Sequence, residues 1–144
     1  MKIIVFECDE TESIINHFLK YDNYEFIIFE NLSRKFDIKH YRGNITTIKG
    51  FLCETNLDKL LKIKGSLKES FFIVYSKSII NFDIKKIINK HKSNQKAVTL
   101  VENNKALCAA LLENETLDYT QNAKSLEGEV FLKIGEDEEL TVYK

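Results

Sequence analysis

Residues 71–101, FFIVYSKSIINFDIKKIINKHKSNQKAVTLV, decide the fold class. The run Phe71-Phe72-Ile73-Val74-Tyr75 is apolar without alternation and rich in β-branched and aromatic side chains. That pattern fits a strand covered on both faces of a mainly parallel sheet. Asp83 stands just before a helical pattern that sets Ile84, Ile87, Ile88 and His91 on one stripe and Lys85, Lys86, Lys90 and Lys92 opposite. Its carboxylate is placed to accept from first-turn amides and to complement the positive helix end. Ala97 to Val101 then reads as a second strand, so the stretch is a βαβ unit.

The same grammar extends outward. Lys2 to Glu7 reads as an opening buried strand. A helix follows, carrying Ile14, Ile15, Phe18 and Leu19, with Thr11 or Ser13 as its cap and an end near Tyr21-Asp22-Asn23. Tyr24 to Phe29 is a second strand. Phe36, Ile38 and Tyr41 anchor a mixed segment, Gly43-Asn44 marks a turn, and Ile45 to Leu52 is a third strand. Asn56 begins a helix with Leu57, Leu60, Leu61 and Ile63 apolar, closing near Gly65. Beyond Val101 the pattern predicts a β-meander: Ala106 to Leu112, a hairpin turn at Asn114-Glu115, a return over Thr116 to Gln121, then strands Glu129 to Ile134 and Leu140 to Tyr143. Alternating β and α with a β-rich last third defines an α/β class, and the 144 residues suit a single domain, 1–144.

Composition narrows function mostly by exclusion. Twenty-one basic against 22 acidic residues leave a net charge of -1, which offers no general attraction for nucleic acid or an anionic membrane. The lysines of the Asp83 helix read as a solvated face. No apolar window reaches the ~20 residues of a membrane span and no signal peptide opens the chain, so the expectation is a cytoplasmic protein. Cys8, Cys53 and Cys108 lack CxxC spacing, which argues against a disulfide framework or zinc site and for free thiols.

From about Tyr24 onward the chain resembles the sugar-1-phosphate nucleotidyltransferases. Those enzymes carry a strand ending in Gly-Asp, an Asp opening the next helix, a His near that helix's end, and a small-residue strand with Thr. Here FFIVY is followed by Ser76-Lys77, then Asp83, His91 and Thr99 at intervals of six, eight and eight residues. Glu54 and the helix after it stand where the family has a Glu and a helix. Ala109 to Leu112, Thr116 to Tyr119 and Glu129 to Leu132 resemble its hairpin and following strand. The resemblance implies a Rossmann-like nucleotidyltransferase-type domain, its mixed, mainly parallel sheet flanked by helices, with a C-terminal β-hairpin or meander.

The departures bear on chemistry. The family's first strand runs into a glycine-rich loop with an Arg and a Pro-Lys that hold the triphosphate. This chain has Cys8-Asp9-Glu10-Thr11-Glu12, without glycine and with three acids. Backbone amides approach phosphate closely only where side chains are small, and acids repel it. Lys77 replaces the metal-binding Asp, inverting the charge where Mg²⁺ would bridge carboxylate and phosphates. The family's Glu-Lys-Pro element is missing, with Lys124 nearby, and the chain stops at Lys144, before a second metal ligand.

These residues lead to a non-catalytic nucleotidyltransferase-like protein, a pseudoenzyme with a regulatory, scaffold or sugar-phosphate or nucleotide binding role. No catalytic residue and no metal ligand is assigned; Ser76, Lys77 and Asp83 are the candidate ligand-binding residues. No cofactor is expected, with Mg²⁺ required only if an active site persists. The partner is the chain itself or an active nucleotidyltransferase. Two alternatives stay open. One is a divergent active sugar-phosphate nucleotidyltransferase of surface-polysaccharide precursor synthesis, in which Asp9 or another acid holds the metal. The other is a receiver-like signalling module, which Asp9, Glu10 and Glu12 after the first strand resemble. On the apolar stripe His91 reads as a core or boundary histidine, and His17 and His40 show no local partner.

Overall fold

The architecture is one seven-stranded sheet between two helical layers. A computed structural model describes residues 1–6, 10–30, 44–49 and 54–144. In chain order the elements are β1 (Lys2–Val5), α1 (Thr11–Leu19), β2 (Glu25–Glu30), β3 (Asn44–Lys49), α2 (Asn56–Ile63), β4 (Phe71–Val74), α3 (Ile84–Asn94), β5 (Val98–Asn103), β6 (Ala106–Leu112), α4 (Phe131–Glu136) and β7 (Leu140–Tyr143). The strands lie in the order β3-β2-β1-β4-β6-β5-β7. Only β6 runs antiparallel to its neighbours β4 and β5. This is the mixed, mainly parallel α/β sheet expected from residues 71–101. Phe36, Ile38, His40 and Tyr41, Gly43 of the expected turn, and Glu7, Cys8, Asp9 and Cys53 fall outside the described residues.

All four residues of β4 are buried, as their unbroken apolar run requires. Phe72 and Val74 pack with Ile14, Ile15 and Phe18 of α1 and Ile84 and Ile87 of α3. Phe71 and Ile73 face the opposite layer, where Leu57 and Leu60 of α2 and Phe131 and Ile134 of α4 close the core. Asp83 caps α3 as expected, its Oδ1 accepting from Lys86 N at 3.2 Å. Such a cap contributes about 1 kcal/mol. Helix α2 is capped more fully than its sequence pattern indicated. Thr55 Oγ1 accepts from Asp58 N at 3.1 Å and Asp58 Oδ2 accepts from Thr55 N at 2.9 Å, a reciprocal capping box. Helix α1 departs from expectation. It starts at Thr11, with Glu10 at its cap position and no side-chain cap bond, so neither Thr11 nor Ser13 serves as its cap.

The last third is where the predicted elements need correction. The hairpin joins β5 to β6 through Asn104 and Lys105, both at positive φ (52° and 66°), and not through Asn114-Glu115. Two consecutive positive-φ residues match the strand twist in the manner of a type I′ turn. Residues Asn114–Thr120 form 3-10 helix in place of the expected returning strand. Here Thr116 Oγ1 donates to Glu113 O at 2.6 Å and Thr120 Oγ1 donates to Leu117 O at 2.5 Å. Hydroxyls that bond three residues back hold the chain in helical turns and out of a ladder. The expected strand Glu129 to Ile134 is also helical, a wide turn over Leu126–Val130 continuing into α4. Val130, Phe131 and Ile134 are buried while Leu132 is 60 % exposed, a helical spacing that an alternating strand would not produce. Strand β7 exists as predicted but pairs in parallel with β5 at the sheet edge, so no meander forms. The antiparallel β6 also disposes of the receiver-like alternative, whose doubly wound 2-1-3-4-5 sheet is parallel.

Among the described residues no helix is long and apolar enough to cross a membrane. Cys108 is buried and free, donating to Val101 O at 3.2 Å, and burial raises its thiol pKa to about 11. It is therefore an inert core thiol, as its isolation in the sequence implied.

Candidate functional site

From β1 the chain departs toward β2 and β3, and from β4 it departs toward the opposite edge. In open α/β sheets such a switch of direction leaves a crevice outside the carboxyl ends of the two strands, where ligands bind. The first residues beyond β1 and β4 therefore define the candidate site.

On the α2 side its floor is aromatic. Phe6 stands 5.8 Å from Phe29 and 5.8 Å from Tyr75, ring centre to ring centre. Lys59 of α2, only 6 % exposed, reaches over this floor with Nζ 5.7 Å from the Phe6 centroid, within cation–π range. Beside it Asn56 Nδ2 donates to Glu127 Oε1 at 3.0 Å. The Tyr75 hydroxyl is buried without a hydrogen-bond partner in the structure. Burial first, and then the charge of Glu127, push its phenol well above the usual range. The carboxylate thus lies near enough to oppose a phenolate without forming an aligned hydrogen bond. Tyr75 is accordingly a neutral donor at any ordinary pH.

Ser76 and Lys77 stand on the rim. Tyr75 N and Ser76 N both donate to Cys108 O, at 2.9 and 3.3 Å, which ties the end of β4 to β6. Ser76 Oγ accepts from Ser78 N at 3.3 Å and caps the short 3-10 segment Lys77–Asn81. Lys77 Nζ reaches Glu10 Oε1 at 2.5 Å, a half-exposed ion pair that spans from β4 to the start of α1. An exposed pair of this kind contributes roughly 0–1 kcal/mol, so its interest lies in charge placement rather than in stability. Asp83 is engaged at the head of α3 by its cap bond. Next to it His17 Nε2 donates to Phe82 O at 2.8 Å, joining α1 to the entry of α3. His17 therefore has the partner that local sequence did not reveal.

Mg²⁺ does not fit the described part of this rim. The group nearest the expected ligand position is the Lys77 ammonium, and its counter-charge Glu10 is already committed to it. Among the described residues no three His, Cys, Asp or Glu side chains converge on a common point. Asp9, the proposed substitute ligand of the active-enzyme alternative, lies outside them.

A second polar assembly lies at the opposite end of the strands. His91 is buried, with Nε2 2.8 Å from Glu113 Oε1 and Nδ1 2.8 Å from Thr99 Oγ1. In the neutral ring Nε2 donates to the carboxylate, which can only accept, and Nδ1 accepts from the Thr99 hydroxyl. Ser70 Oγ donates to Glu113 Oε2 at 2.8 Å. The network links α3, β5, the end of β6 and the start of β4. Thr99 is fully buried, so the His91–Thr99 contact ties α3 to β5, while the more exposed Glu113 opens with His91, Lys92, Lys96 and Glu139 onto a surface cavity.

No protein-family model matches the chain, and no curated protein matches it. Solved structures share its fold over nearly its whole length. The 4-diphosphocytidyl-2C-methyl-D-erythritol synthase of Anaerococcus prevotii superposes with a TM-score of 0.64 at 11 % identity, covering 99 % of this chain and 87 % of that one. A protein of Desulfovibrio desulfuricans assigned to the nucleotide-diphospho-sugar transferases gives 0.58 at 7 % identity, over 99 % and 78 %. Rv0371c of Mycobacterium tuberculosis, in complex with manganese, gives 0.60 at 5 % identity, over 99 % and 86 %. The fold is therefore of the nucleotidyltransferase type, as the spacing of residues 77–99 anticipated. At these identities the comparison defines architecture and not activity.

Proposed function

We propose that this chain is a degenerate, non-catalytic member of the nucleotidyltransferase fold, working in the cytoplasm as a regulatory binder of a nucleotide or sugar phosphate, with an active nucleotidyltransferase or a second copy as its protein partner. The Lys77–Glu10 pair carries this reading. In nucleotidyl transfer a divalent cation neutralises the phosphates between carboxylate ligands. Here a half-exposed ammonium occupies the rim position, so a phosphate would meet Lys77 directly and without a metal. Lys59 supports the binding half of the reading, because it adds a second positive charge behind the rim, over the buried Phe6 ring. The cost is catalytic. An ammonium held by one exposed acid binds ground-state phosphate but supplies no bridging metal for the transfer step.

Thermal shift with each nucleoside triphosphate and with sugar 1-phosphates, with and without Mg²⁺, tests the proposal. A ligand at about a hundred times its Kd should stabilise the protein by about 2.7 kcal/mol, equally in EDTA and in Mg²⁺. The shift should shrink in Lys77→Ala. Stabilisation that requires Mg²⁺ would contradict the non-catalytic reading, and the lack of any shift would remove the binding role.

A further inference from the structure

Lys59 breaks the pattern of its own helix. It shares the buried side of α2 with Leu57, Leu60 and Ile63, all apolar, and is itself only 6 % exposed. The next two lysines along the chain are exposed and partnered. Lys62 pairs with Glu54, and Lys64 Nζ donates to Leu117 O at 3.3 Å. Lys59 has neither an ion pair nor a hydrogen bond among the described residues, and its ammonium meets only the face of Phe6, 5.7 Å from the ring centre. A charge withdrawn from water without a counter-charge destabilises a fold, and an aromatic face offsets only part of that. An apolar side chain would fill the same place without the penalty. The place itself is the crevice. Phe6 is the first residue beyond β1, and its N donates to Val74 O at the end of β4 at 3.4 Å. Lys59 thus stands over the carboxyl end of β1 from the α2 layer, while Lys77 reaches the rim on the α1 side through Glu10.

We propose that Lys59 is the seat of a terminal phosphate group, held without a metal. Three features select such an occupant. The ammonium has three donors, and no oxygen among the described residues accepts from any of them. Phe6 closes one side and little of the residue is left open, so only a small group at the end of a ligand reaches Nζ, and a base or sugar ring does not. A lysine head is a compact point charge that suits a tetrahedral phosphate, whereas the planar carboxylate is matched best by the fork of an arginine. Attraction is also stronger here than at the half-exposed Lys77, because the surroundings of Lys59 screen charge less. The ligand then supplies the counter-charge that the fold lacks. The seat deepens the binding half of the proposed function and rests on it for the identity of the ligand, though not for the phosphate itself.

Thermal melting of the whole chain in EDTA, alone and with inorganic phosphate or pyrophosphate at constant ionic strength, tests the seat. Lys59→Met keeps the unbranched side chain and the helix propensity while removing the charge. Without ligand it should melt roughly 2–4 °C above the wild type. With pyrophosphate the wild type should gain, and Lys59→Met should need about tenfold more ligand, or still more, for the same gain. General salt effects act on both proteins alike, so the difference between them reads the seat. A ligand-free Lys59→Met protein that melts at or below the wild type would overturn the proposal, by showing that the ammonium already has a counter-charge within the fold. No gain in the wild type, or equal gains in the two proteins, would overturn it as well, and an equal gain with acetate would overturn phosphate as the occupant. A Lys59-dependent gain with pyrophosphate but with no nucleotide or sugar phosphate would keep the seat and sink the proposed function instead. Nucleotide gains that depend on Lys77 and not on Lys59 would do the reverse.

Discussion

Truncating Phe18 to alanine is expected to cost about 4 kcal/mol of folding stability, within the range for a phenylalanine lost from a close-packed core. Phe18 has no exposed surface and meets Phe72 edge-on at 5.3 Å, Tyr24 at 5.7 Å and Phe26 at 6.4 Å. One side chain of α1 therefore joins β2 to β4, and the void left by its removal cannot be filled from a single element. For a chain of this length the melting temperature should fall by roughly 12 °C. Phe18→Leu, which retains most of the volume, should lose far less. Urea unfolding of both variants checks the expectation, and a loss below about 1 kcal/mol for the alanine would mean that α1 does not pack as described.

His91→Ala should be nearly as damaging for a different reason. It deletes a buried ring and at the same time strands the hydroxyl of Thr99 and one oxygen of Glu113. A buried hydroxyl without its partner costs about 1–3 kcal/mol, and the cavity adds to that, for a total of roughly 3–4 kcal/mol. Glu113→Gln keeps an acceptor oxygen for the ring, and its NH2 can donate to the Ser70 hydroxyl, which then accepts, so it should retain most of the stability. Calorimetric melting of the two variants separates the contributions. Equal losses would show that the charge of Glu113, and not the hydrogen-bond geometry, holds the network. Neither variant should alter ligand binding at the crevice, because the network stands at the other end of the strands.

These two residues also mark what the chain discloses before folding. Phe18 and His91 sit on apolar stripes whose helical period is visible locally, and β4 is legible because burial on both faces removes all polar residues from it. The partners of His91 are not legible. Ser70 and Glu113 come from elements that meet only when β6 inserts between β4 and β5, an antiparallel step that no local period encodes. The helical character of residues 114–136 is hidden by composition. Threonine, valine and phenylalanine favour strands in general, but here the threonine hydroxyls bond back to Glu113 and Leu117, and burial follows a helical interval. Lys59 illustrates the same limit at the candidate site. A lysine in an amphipathic helix reads as solvent-facing, yet it folds inward over Phe6, while Leu61 of the same helix remains 42 % exposed. The resemblance sets Lys77 in the place of a metal-binding Asp, but its pairing with Glu10 requires the β1–β4 neighbourhood to be formed.

The function proposed above holds that this nucleotidyltransferase-type fold does not transfer nucleotides. Pyrophosphate release from CTP, UTP, GTP and ATP, each with a panel of sugar 1-phosphates and with Mg²⁺ or Mn²⁺, measures it directly. Release at the level of the protein-free blank is predicted for every combination. Metal-dependent release that is abolished by Asp9→Ala would contradict it, by showing that an acid outside the described residues holds a metal.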